Sequence, residues 1–170
     1  MKENKQLIIF ISLIVIILIR LRKCTKYPFI QGTKKLKTKT KYKSGKHRYI
    51  YKTDKLGRIV KVKARRLKFG KPEESWNKNT PGKRSKDHAG HLIGNRFGGS
   101  NDIDNLVSMK ESINLGTFKI LENKWAKALN EKKRVSVWIR IKYTKNSKRP
   151  NKFEVKYKIN SKVEKAEIKN

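Results

Sequence analysis

An α+β fold is predicted by this sequence on three observations. Two stretches, near residues 49–68 and 135–159, alternate apolar with charged residues at period two. Between them Phe118, Leu121, Trp125 and Leu129 recur at helical spacing up to Asn130. The order is therefore strands, an irregular island, a helix and strands again, the pattern of antiparallel hairpins flanking one helix. At 170 residues the chain holds one ordinary domain plus short extras, with a modest single core.

The first element is a hydrophobic helix. Residues 7–19, "LIIFISLIVIILI", are apolar apart from Ser12, with Lys2 and Lys5 before them and "RLRK" after. Thirteen helical residues rise about 20 Å, short of a hydrocarbon core of about 30 Å. Gln6, Leu21 and snorkelling Lys5, Arg20 and Arg22 extend the segment enough to span. No small-residue cleavage site follows, and Lys23 spoils Cys24 as a lipoprotein cysteine. Residues 1–23 are thus expected to form a transmembrane anchor, with a cleaved signal segment as second choice. The excess of Arg20, Arg22, Lys23 and Lys26 over Lys2 and Lys5 would hold the domain in the cytoplasm.

Residues 24–47 read as a basic linker in which Lys alternates with Thr, Ser and Gly. Tyr27, Phe29 and Tyr42 within it are of a kind to stack on bases, although a solvated spacer is the simpler reading. The main domain is expected over 48–165. It opens with a hairpin, Tyr49 and Tyr51 before a turn at Asp54–Gly57, then Ile59, Val60 and Val62 alternating with Lys. Gly, Pro and Asn make 70–86 a loop. "SMKE" resembles a capping box, with Ser108 as the cap and Glu111 three residues on, ahead of the helix. "VSVWIRIKY" and "FEVKYKI", joined by polar "TKNSKRPN", predict a second hairpin.

The net charge of +33 makes polyanions the natural partners: nucleic acid or an anionic membrane. Cys24 is the only cysteine, which excludes an intrachain disulfide and a cysteine zinc cluster. The charge is uneven. Residues 85–125 hold five bases and five acids, so the rest of the chain carries the whole surplus. A neutral, acid-containing segment within a basic surface suits a metal-dependent nuclease, which gathers phosphate outside and holds a cation inside. His91 is placed to act as a base on water near pH 7. Asn105 or Asn114 offers a hard amide oxygen of the kind Mg²⁺ accepts.

"DHAGHLIGNRFGG…NLV…N…LENKWA" resembles the DNA/RNA non-specific endonucleases of the ββα-metal (His–Me finger) superfamily. The likeness is to a compact bacterial branch of secreted nucleases and toxin domains, over about two-thirds of the chain. It implies a ββα-metal core and Mg²⁺-dependent, sequence-nonspecific cleavage of DNA and/or RNA, with Mn²⁺ or Ca²⁺ as possible substitute ions. His91 matches the general base and Asn114 the metal ligand. Asn105 matches a second site asparagine and Glu122 the helix glutamate. In-line attack by water activated at His91 would leave 5′-phosphate ends.

Two departures stand out. Well-known members carry Asp-Arg-Gly-His, whereas here Asp87 lies four residues before His91 and the arginine is missing. Arg96 is the nearest substitute for binding phosphate. Four residues after Glu122, where a helix arginine is common, stands Ala126. His88 and His91 have a zinc-like spacing without further ligands in sequence. His47 is expected to be solvated, and Gly98 and Gly99 to serve a tight turn. A free nuclease endangers its own genome, which favours an extracytoplasmic site against the charge rule above. An immunity or inhibitor partner is left unassigned. The rival reading is a membrane-tethered nucleic-acid-binding protein that keeps only the scaffold.

Overall fold

Alternation of side chains decides the architecture. In the computed structural model, which describes residues 24–170 apart from Glu73 and Trp76, eight strands form two antiparallel sheets. The large sheet comprises β1 (Lys41–Ser44), β2 (Tyr49–Thr53), β3 (Ile59–Ala64), β6 (Val135–Tyr143), β7 (Pro150–Ile159) and β8 (Lys162–Lys169), adjacent in that order. One row of paired residues runs Tyr42, Tyr51, Val62, Ile139, Val155 and Ala166 from edge to edge. These side chains belong to the core or pack against it. The neighbouring row faces solvent, because successive residues of a strand point to opposite faces.

Between β3 and β6 the chain leaves the sheet to build a second layer. β4 (Asp87–His91) pairs with β5 (Leu106–Lys110), and the short 3₁₀ turn Asn95–Phe97 lies between them. A single π-helical turn, Ile113–Phe118, runs directly into the helix α1 (Lys119–Asn130). Leu121, Trp125, Ala126 and Ala128 of α1 are buried against the core. Trp125 is fully buried, 6.3 Å from the Phe97 ring and 5.8 Å from Tyr157, while Phe118 meets Phe153 edge-on at 5.2 Å. Removing such an aromatic anchor typically costs about 3–5 kcal/mol.

The anchor over 7–19 and the module 1–23 lie outside the described residues; among those described, no helix is long and apolar enough to cross a membrane. The α+β class, both hairpins and the helix are observed as expected, with three differences. Residues 41–44, within the segment taken as a spacer, form β1, and Leu36 and Tyr42 join the core. Tyr42 is wholly buried and stacked on Tyr51 at 5.3 Å, which removes it from any base-stacking role. Ser108 is no helix cap. It lies in β5, buried, with its hydroxyl 2.7 Å from that of Thr80 and donating to the Pro81 carbonyl at 2.9 Å. The π turn then starts with no side-chain cap. Beyond the second hairpin, β8 adds a third strand reaching Lys169.

The two layers are pinned by a buried ion pair. Arg149, at the mouth of β7, donates from Nε to Asp87 Oδ2 at 2.7 Å and from Nη2 to Oδ1 at 2.8 Å. Both side chains are more than nine-tenths buried. The Arg149 guanidinium holds the Asp87 carboxyl below the usual carboxylate range, and Asp87 raises Arg149 in return. Arg149→Met should therefore lower stability by about 3–5 kcal/mol, the cost of leaving one buried charge alone. The Asp87 contribution is present above the ordinary carboxylate pKa near 4 and is lost as pH falls through its depressed folded value. Thermal melts at pH 7 and pH 3 check both: the variant's deficit should be large at pH 7 and shrink in acid.

Candidate active site

The sheet holds the island from below. Three tyrosine hydroxyls rise into residues 97–105: Tyr49 donates to the Phe97 carbonyl (2.9 Å), Tyr51 to Asn105 Oδ1 (2.8 Å) and Tyr42 to the Asp104 carbonyl (2.8 Å). Asp104 takes the Ser44 and Ser100 hydroxyls, each at 2.6 Å, and burial pushes its carboxyl upward against those bonds. Asn105 is wholly buried. Its oxygen also accepts from the Ile93 amide at 3.0 Å, and its nitrogen donates to the carbonyls of Ile93 (2.9 Å) and Ser100 (2.8 Å). Those four bonds use the amide's whole capacity, two donors and two lone pairs. Gly98 turns at φ +70°, and a Cβ on Gly99 would run into the Ile93 carbonyl. Only glycine fits.

His91 ends β4 and borders a cavity of about 500 Å³ with Lys78, Lys83, His88, Asn95 and Asn114. Its Nε2 lies 2.8 Å from Asn101 Oδ1. The amide's orientation is set by its other end, where Nδ2 donates to the Ser75 carbonyl at 2.7 Å. The oxygen therefore faces the ring, Nε2 carries the hydrogen, and Nδ1 is left with a lone pair. Burial lowers the His91 pKa below its ordinary value, while the Asn101 bond pulls it partly back up. Burial favours the neutral ring near pH 7, and the Asn101 bond fixes its tautomer. Asn101 is absent from the sequence candidates. No local signal marks it, because its amide is oriented by Ser75, far away in the chain.

Asn114 sits on the π turn, with Nδ2 3.3 Å from His88 Nδ1; His88 Nε2 lies 3.5 Å from Glu111. This places the Asn114 amide nitrogen toward His88 and turns its oxygen away from that ring. Glu122, in the first turn of α1, stands against Gly94, where an added Cβ would overlap its carboxylate. Burial raises the Glu122 pKa, and the charges of Lys119 and Arg96 pull it down. Arg96 itself reaches Asn123 Oδ1 at 2.9 Å and stacks over Phe97. It is not on the cavity wall.

The structure thus brings His91 and Asn114 to one cavity with His88, Lys78 and Lys83. It puts Asn105 beneath that cavity as a brace, and Asp87 in the ion pair with Arg149. Among the described residues no three His, Cys, Asp or Glu cluster for a metal. An amide oxygen beside a carboxylate-bearing helix does not suit caged zinc. It suits a hard divalent ion that keeps most of its waters. His47, expected to be solvated, is partly exposed, with Nε2 2.7 Å from the Phe69 carbonyl.

A strand pair and one helix presenting a histidine held by an oriented amide, beside lysines and within a strongly basic chain, define a nucleic-acid hydrolase domain. The chain belongs to the DNA/RNA non-specific endonuclease family, whose signature matches residues 38–161. It is 39% identical over 137 residues to the type VII secretion system protein EssD of Staphylococcus aureus, in strains USA300 and NCTC 8325 / PS 47. The match covers 75% of this chain and 22% of those relatives, so the chain spans about a fifth of their length.

The two island asparagines should separate experimentally. Asn101→Ala should slow cleavage on the order of 10²-fold, the lower end of what a positioned base contributes. It should also move the acid limb of the pH–rate profile lower, since the bond that raises the His91 pKa is gone. A rate loss without that shift would assign Asn101 to loop architecture alone. Asn105→Ala should instead lower the melting temperature, because buried partners are orphaned at about 1–3 kcal/mol each.

Proposed function

We propose that this domain hydrolyses phosphodiester bonds of DNA or RNA without sequence selection, on a ββα-metal core formed by β4, β5 and α1. The observation that carries the reading is the His91–Asn101 pair, a half-buried imidazole whose tautomer is fixed by an oriented amide inside a lysine-rimmed cavity. His91 Nδ1 takes a proton from water as the water oxygen bonds to phosphorus, and the 3′ oxygen departs opposite, leaving a 5′-phosphate. Asn114 and Glu122 are the residues that would hold Mg²⁺, with Mn²⁺ or Ca²⁺ as substitutes. A divalent ion there would neutralise charge on the phosphate and the departing oxygen.

The arginine missing from the sequence motif leaves a cationic role to fill. Lys78 and Lys83 line the cavity, and Lys83 Nζ is steadied by the Lys78 carbonyl at 2.8 Å. The loop bearing them is tied to the base through Asn101, whose carbonyl accepts from the Asn77 amide at 2.8 Å. These lysines are assigned to the scissile phosphate. Arg96 is assigned to Glu122, whose carboxylate it helps keep ionised, and Asp87 to positioning β4. Its relatives' designation as secretion-system proteins supports action outside the producing cell, with or without a tether through residues 7–19.

Conversion of supercoiled plasmid in Mg²⁺, against an EDTA control, tests the reading; plasmid that is bound but never cut would leave the scaffold-only alternative. His91→Ala should abolish cleavage and keep binding. Asn114→Ala should raise the Mg²⁺ concentration for half-maximal rate with little change in melting temperature. A titration shifted by Asn105→Ala instead would exchange their roles. Replacing Lys78 and Lys83 by Gln should depress kcat more than it raises KM.

A further inference from the structure

The solvent face of the large sheet lies opposite the cleft. The inward row of Tyr42 and Tyr51 supports the island carrying Asn105, so the alternate residues of the same strands point away from it. Registers align this outward row as Lys43, Ile50, Lys63, Trp138, Lys156 and Lys165, one residue from each strand. The next outward row is Lys41, Lys52, Lys61, Arg140, Glu154 and Glu167. Its two carboxylates are already met by cations: Glu154 by Arg140 at 3.6 Å and Lys142 at 3.7 Å, Glu167 by Lys152 at 2.6 Å. On β1, β2 and β3 the face carries five lysines and no acid. A shallow depression of about 590 Å³ runs across the middle of the sheet, and a second of about 520 Å³ adjoins β1–β3, where Arg48, Arg65 and Arg66 add charge.

We propose that this face is a second nucleic-acid-binding surface, which holds the sugar–phosphate backbone away from the catalytic cavity. Neighbouring strands lie about 4.8 Å apart, so on β1, β2 and β3 each row sets a cation or an apolar residue at every step. Such a ladder matches a dense line of phosphates and requires no base readout. Trp138 lies half-buried at the centre, with the Lys156 ammonium 6.0 Å from its ring, a flat surface for a sugar or base to rest on. An anionic membrane is the competing partner. Docking there calls for protruding apolar residues that enter the headgroup layer. Among the large exposed apolar residues described, only Val163, at the far edge, belongs to this face. The proposal rests on the nuclease reading for its substrate class and for nothing else.

The test uses the full chain carrying His91→Ala, so that binding is read without turnover. Anisotropy of a fluorescent 30-base-pair duplex is followed through a salt titration. Lys52→Gln, Lys61→Gln and Lys63→Gln together should weaken binding at least tenfold. They should also reduce the slope of log affinity against log salt by about 2.7, at about 0.9 per lost phosphate contact. The control replaces three exposed lysines off the face, Lys55, Lys127 and Lys148, by Gln; its slope should stay near that of the parent. An unchanged slope in the sheet variant, or an equal change in the control, overturns the proposal. So does loss of binding to phosphatidylserine vesicles with duplex binding intact, which would make the face a membrane surface. A parent enzyme that never cleaves would defeat the nuclease reading and leave this binding result standing.

Discussion

Everything at the site hangs on the amide of Asn105. It bridges a sheet tyrosine, both backbone groups of Ile93 and the carbonyl of Ser100, with no bonding capacity left over. A buried amide so engaged is costly to disturb, because each partner would be stranded without water. Ile93 follows His91 by two residues, and Ser100 precedes Asn101. The brace therefore fixes the two ends of the segment that carries base and partner. The imidazole is positioned by a hydrogen-bond network two residues away as much as by its own contact.

That network also explains the electrical separation of the molecule. A surface that gathers phosphate needs many cations, whereas the base proposed at His91 and the metal site proposed at Asn114 need few. The chain meets both demands by layering. Lysines crowd the solvent side of the sheet, aromatic and aliphatic residues fill the middle, and amides, hydroxyls and a few carboxylates form the island beyond. The Asp87–Arg149 pair is the exception that joins layers. Its desolvation is tolerated because both carboxylate oxygens are met by the guanidinium fork.

Much of this was legible in the residues, and the failures share a cause. Period-two runs announce β2, β3, β6 and β7, and the 118–121–125–129 spacing announces α1, because those elements repeat long enough for burial to leave a rhythm. β1 was hidden, since four residues with one buried tyrosine among lysines look like a spacer. Ser108 and Glu111 imitate a capping box because the same spacing also fits a strand residue followed by its exit, and only pairing with β4 tells them apart. His91 and Asn114 stand out by residue chemistry and by resemblance, and Glu122 by resemblance alone. Asn101 does not, for its role depends on the direction of an amide fixed by Ser75, twenty-six positions away. Such long-range contacts leave no local trace.

The placing of β6 beside β3 has a consequence for how the molecule comes into being. Ala64 and Val137 are partners, yet the whole of β4, the island, β5 and α1 lies between them in the chain. Zipping that seam means closing a long loop before its contacts repay the lost freedom, which makes it a slow step in assembly. Until it closes, the tyrosines of β2 have no completed sheet from which to grip the island. A nascent or unfolded chain therefore carries every catalytic residue and no catalyst. Hydrolytic competence thus depends on a strand pairing that spans the whole catalytic segment.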